Sequence, residues 1–215
     1  MPRERSTARA QERVAATRDG LVQAAATVFA ERGYHPTRVS DIAEQAGVGQ
    51  GTFYRHFSDK RQILDAVVAG TAERLQSVFT DENAPEQIDS LAEYRERASD
   101  MATRVFELIA AEHREMGFLL GQLPSVDDDG AATLDFVHGI AAAMIAEYYR
   151  IGIERGFFRA DLDIDAASIA VIGMGLSAAW KILRNPADTG FRAQYRETVV
   201  EFIVRYAAVD PTIAN

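Results

Sequence analysis

The chain has 215 residues, 47% hydrophobic and 26% charged, enough for one large or two small domains with a real core. It has no cysteine, which excludes disulfides, thiol catalysis and thiolate metal sites and suits a reducing, cytoplasmic compartment. The formal charge is −9, unevenly spread: residues 1–61 hold ten Lys/Arg against seven Asp/Glu, whereas residues 62–215 hold 13 against 25. That asymmetry describes a small basic head on a larger acidic body, with approach to a polyanion favoured through the head.

Residues 1–17 carry Arg3, Arg5, Arg9 and Arg13 and no apolar stretch, so they read as a flexible basic arm rather than a signal peptide. Entry of such an arm into a DNA minor groove is the alternative. Apolar residues then recur at helical spacing almost throughout, and strand patterns are nearly absent. A first helix over about 12–32 places Leu21, Ala25, Val28 and Phe29 on one face and stops at Gly33. Thr37 is a candidate N-cap for a second helix over about 39–46, and a third runs over about 50–57. Asp59, with Gln62 three residues on, has the form of a capping box and opens a fourth helix to about Phe79. Further helices are expected near 88–112, 114–122, 130–156, 165–184 and 191–208, separated by Gly-, Pro- and Asp-rich breaks. The fold class is therefore all-α with about nine helices. Three divisions are expected: the arm at 1–17, a three-helix head at 18–64, and a helical bundle at 65–215.

Residues 39–60 carry the most specific signal. Two short helices are joined by Gly47-Val48-Gly49, where glycine tolerates positive φ and Val48 plugs the gap between the helices. This is a helix-turn-helix pattern, whose second helix enters the major groove of DNA. The wider frame resembles the DNA-binding domain of the tetracycline-repressor (TetR) family. The resemblance rests on Phe29-Ala30-Glu31-Arg32-Gly33-Tyr34, Thr37, Asp41-Ile42-Ala43, Ala46-Gly47-Val48, Gly51-Thr52-Phe53-Tyr54-Arg55-His56-Phe57 and Lys60. Gly49 departs from it, standing where the family more often has serine.

The resemblance implies roles at matching positions. Gln50, Thr52 and Arg55 would face base edges, with Gly51 permitting close backbone approach. Thr37, Ser40, Tyr54, His56 and Lys60 would contact phosphates and fix register. Phe53 and Phe57 would pack inside the head.

In the body, Leu134, His138, Ala141, Ile145 and Tyr148 form one apolar stripe; Tyr94, Ala98, Met101, Val105 and Ile109 form another. Ordinary core accounts for such stripes. The resemblance also implies an inducer pocket there, with Met101, Phe106, Phe118, His138 and Tyr148 as its candidate lining. It further implies dimerisation through the last two long helices, with Ile169, Gly173, Leu176, Phe202 and Tyr206 as contacts. Gly173-Met-Gly175-Leu-Ser-Ala178 fits a dinucleotide-binding pattern, but no strand follows it, so small residues permitting close helix packing are the better reading. The longest uncharged run, Ala166 to Trp180, has 15 residues, fewer than the roughly 20 that cross a bilayer, and no membrane partner is expected. Asp135 and His138 could share a metal in a helical enzyme, but no second acid–histidine pair accompanies them. Neither a catalytic residue nor a cofactor nor a metal is expected.

The resulting expectation is a homodimeric repressor, bound to palindromic double-stranded DNA and released by a small-molecule inducer. The alternative keeps the head and makes the body a protein-interaction module.

Overall fold

The computed structural model describes residues 2–79 and 84–209. Among them are nine α-helices and no strand. They are α1 (Pro2–Arg32), α2 (Val39–Gln45), α3 (Gln50–His56), α4 (Lys60–Gln76), α5 (Leu91–Ala111), α6 (His113–Gly121), α7 (Asp128–Glu154), α8 (Ile164–Arg184) and α9 (Thr189–Ala207). Short 3₁₀ turns at Pro85–Gln87 and Leu123–Ser125 lead into α5 and α7.

α1 begins well before the expected start and takes residues 2–17 into the helix. This stretch is rich in Ala, Arg, Glu and Gln, has no glycine, and its one proline, Pro2, stands at the first helical position, so nothing interrupts propagation. Of the arm's arginines, Arg13 is exposed, and the side chains of Arg3, Arg5 and Arg9 lie outside the described residues. α1 stops where Gly33 takes φ = 81°.

Thr37 does not cap α2. Its hydroxyl donates to the Gly33 carbonyl at 2.6 Å and is buried, closing the α1–α2 loop. The cap position passes to Arg38, whose backbone N–H donates to the Asp41 carboxylate at 2.8 Å. At α4, Asp59 accepts from the Gln62 N–H at 2.8 Å, and the Gln62 side-chain oxygen accepts from the Ser58 N–H at 2.6 Å. Side-chain caps also open α5, α7, α8 and α9, from Ser90, Asp127, Asp163 and Asp188.

Three buried clusters hold the helices together. The first joins Leu21, Phe29, Ile42, Phe53 and Ile63 of the head to Phe118 and its neighbours in α6 and the following turn. Head and body therefore share one core. The second centres on Tyr149, Phe158 and Val204, and the third packs Phe106 and Ile109 of α5 on Ala178 and Ile182 of α8. Arg192 of α9, 8% exposed, pairs with Glu107 of α5 at 3.1 Å.

The glycine pattern in α8 sits in mid-helix. A Cβ added at Gly173 or Gly175 would meet nothing within 4 Å, so neither glycine serves close packing inside the protomer. By length and mean hydropathy (1.6), Ile164–Arg184 is apolar enough to cross a membrane, longer than the uncharged run alone suggests. Here it is a bundle helix with one side against α5 and α7 and another side open.

Candidate nucleic-acid interface and the cavity coupled to it

Ile42 and Ala43 of α2 turn inward, and Gly47 takes φ = 67° to reverse the chain. The Val48 N–H then donates to the Ala43 carbonyl at 2.9 Å, and its side chain packs on the head core. Gly49 caps α3 by position without a side-chain bond. Phe53 and Phe57 are buried as anchors, which fixes the rotation of α3. The opposite face therefore presents Gln50, Gly51, Tyr54 and Arg55 outward. Tyr54 is 57% exposed with its ring edge against Phe53. The Arg55 guanidinium donates to the Thr52 hydroxyl at 2.7 Å, so two of the three expected base-facing side chains are held together. His56 and Ser40 are half-buried.

Two residues expected at phosphates are engaged within the protomer. Thr37 is buried with its hydroxyl bonded, as described above. The Lys60 ammonium donates to the carbonyls of Tyr34 (2.7 Å), His35 (3.3 Å) and Thr37 (2.8 Å), using all three of its donors. It also lies 4.2 Å from the centre of the Tyr34 ring, and burial pushes its pKa below the ordinary value. Lys60 is thus a clamp on the α1–α2 loop. Sequence spacing gave no warning, because the three carbonyls lie more than twenty positions away.

An apolar cavity of about 310 Å³ lies among α4 to α9. Both apolar stripes line it, including Met101, His138 and Tyr148, and Phe106 lines it as well. The Tyr148 hydroxyl donates to the Met101 sulfur at 3.4 Å, and burial pushes its pKa up to about 12. Phe118 is not in the wall: it is turned into the head core, stacked on Phe29 with ring centres 5.6 Å apart. α6 is amphipathic on two sides, and only the position of α1 decides which side takes Phe118. α4 also contributes to the wall, through Val68, Thr71 and Leu75.

Of the expected dimer contacts, Ile169 (66%), Phe202 (61%) and Tyr206 (43%) are exposed on α8 and α9, and so is Gly173. Leu176, half-buried, lines the cavity. Asp135 is exposed whereas His138 lines the cavity, and no cluster of three or more metal-ligating side chains occurs among the described residues.

One further link was not anticipated. Arg61 at the start of α4 donates to both carboxylate oxygens of Asp127, at 2.6 and 2.8 Å. The same carboxylate caps α7 through the Gly130 N–H at 2.8 Å. Head and cavity wall are therefore joined by an ion pair as well as by shared core.

A three-helix reading head fused to a hollow helical body defines a helix-turn-helix transcriptional regulator. Residues 21–67 match the family described as bacterial regulatory proteins, tetR family. The transcriptional repressor KstR2 of Mycobacterium tuberculosis is 30% identical over 149 residues, covering 69% of this chain and 72% of its own. Two solved structures share the fold at 22% identity. The fatty acid degradation regulator FadR of Bacillus halodurans has a TM-score of 0.74, covering 87% of this chain and 94% of its own. FadR of Bacillus subtilis, in complex with stearoyl-CoA, has a TM-score of 0.72, covering 86% and 96%. The chain belongs to the TetR family of bacterial transcriptional regulators.

Proposed function

We propose that the protein is a homodimeric repressor that holds a palindromic operator and leaves it when a small molecule occupies the body cavity. The observation that carries this reading is a shared wall. Val68, Leu119 and Leu123 belong both to the core that supports the head and to the lining of the cavity. Close-packed interiors transmit displacements rather than absorb them, so a guest that moves these side chains re-aims the head.

In the dimer, the exposed faces of α8 and α9 meet their own copies, which supplies the cover that Ile169, Phe202 and Tyr206 lack in one protomer. Two copies of α3 then enter successive major grooves about 34–36 Å apart. Gln50, Thr52 and Arg55 read base edges, and Ser40, Tyr54 and His56 fix the register on phosphates. A ligand that prefers the head spacing unsuited to DNA lowers DNA affinity, and by linkage DNA lowers ligand affinity by the same factor.

Selection of bound sequences from random duplexes tests the reading directly. The expected product is a palindrome with half-sites about one helical turn apart. A second selection in which small molecules elute the protein should recover the inducer. Recovery of a single unpaired half-site, with the protein monomeric, would overturn the dimeric mechanism.

A further inference from the structure

We infer that the body cavity takes an uncharged, compact, largely apolar molecule bearing one hydroxyl or carbonyl oxygen, held by a hydrogen bond to His138. The inference rests on the cavity being the ligand site.

The chemistry of the wall carries it. Among the described residues no Lys, Arg, Asp or Glu lines the cavity, and only Thr71, Tyr94, His138 and Tyr148 bring polar side chains. A carboxylate or phosphate buried there would lose its hydration without gaining a counter-charge, which disfavours anionic guests. The guanidinium that reaches Thr71 belongs to Arg74, and Glu112 already holds it at 2.8 Å. Thr71 is itself occupied: its hydroxyl donates to the Val67 carbonyl and accepts from Arg74. Tyr148 donates to the Met101 sulfur.

His138 is different. Among the described residues it makes no hydrogen bond, ion pair or ring contact, yet it lines the cavity between Leu134 and Ala141 on α7. A neutral imidazole offers one donor and one acceptor, which suits a hydroxyl or a carbonyl equally. A partner within the guest completes this position, and apart from the Tyr94 hydroxyl the rest of the guest meets an apolar wall.

Size narrows the class further. About 310 Å³ is at the small end of the usual range for ligand sites. The guest is therefore a compact lipophile rather than a long, headgroup-bearing one.

The test uses the full-length protein with the neutral dye Nile red bound, and measures its displacement at neutral pH by 1-decanol, 2-decanone, decane and decanoate. The alcohol and ketone are expected to displace the dye at least about ten-fold more tightly than decanoate. His138→Ala should weaken the alcohol about 2- to 10-fold, the range of one hydrogen bond, and leave decane unchanged. Ala141→Trp, which fills the cavity, should abolish dye binding. Decanoate or a decanoyl thioester of coenzyme A binding as tightly as the alcohol would overturn the inference. So would an absence of displaceable dye, or an alcohol affinity indifferent to His138. DNA release is measured separately on a selected duplex. Neutral guests that bind without releasing DNA would sink the repressor mechanism and leave this assignment standing, whereas release by an anionic guest would do the reverse.

Discussion

Phe29 of α1 and Phe118 of α6 stack with ring centres 5.6 Å apart and planes 19° apart, both almost fully buried. One ring belongs to the reading head and the other to the body, so the head cannot tilt without disturbing α6. Leu119, the next residue along, lines the cavity. Leu119 of the cavity wall is thus one residue from a ring packed in the core of the head.

Phe118→Ala is expected to destabilise the protein by about 3–5 kcal/mol, the usual cost of emptying a buried aromatic site. Phe118→Leu keeps most of the packing and loses the stacked contact. This variant should still bind DNA while releasing it less completely with inducer. Denaturant unfolding and DNA-binding titrations with and without inducer check the pair.

Lys60→Ala should lower stability by about 1.5–3 kcal/mol through the loss of charged hydrogen bonds to carbonyls. If the ammonium were a phosphate contact, the variant would also lower the salt slope of DNA binding by about 1. An unchanged slope with reduced stability is the expected result, read from binding at several salt concentrations.

Arg55→Ala should relax specificity at one base position by about 1–3 kcal/mol, with the remaining positions read as before. Thr52→Val removes the hydroxyl that holds the guanidinium and should have a smaller effect at the same position. Competition among single-base operator variants distinguishes these outcomes from a uniform loss of affinity.

Phe202→Glu and Ile169→Glu introduce charge into the exposed apolar face of α8 and α9. Each should weaken dimerisation at least about ten-fold, with DNA affinity falling in parallel, and the isolated protomer should stay folded because neither residue is in its core. Sedimentation across a concentration series, with circular dichroism alongside, provides the check.

Asp59 gives a pH signature. The Gln62 N–H, and then the Ser58 hydroxyl, hold its carboxyl below the ordinary value of 3.8. A carboxyl depressed in the folded state contributes stability that is present above 3.8 and is lost as pH falls through the lower folded value. The Tm difference between the wild type and Asp59→Ala should therefore persist near neutrality and close only in strong acid.

The sequence by itself determined the local part of this protein. Helix periodicity, the Asp and Ser caps and the Gly47 turn act over a few residues, so most of the elements follow from spacing, whereas the outward roles on α3 came from the family resemblance. The two apolar stripes of the body were equally legible, since both fall on helix faces that line the cavity. Only the tertiary structure decided what depends on distant partners. Lys60 and Thr37 have residue types that suit phosphates, yet the carbonyls of the α1–α2 loop take the lysine and Gly33 takes the threonine. Phe118 and Leu176 are equally apolar on either side of their helices, and neighbouring helices sent the first to the head and the second to the cavity. The pairing of Arg61 with Asp127, 66 positions apart, had no local signal at all. Short-range order is written in spacing; the role of a side chain that could serve two neighbours is fixed by which helix arrives beside it.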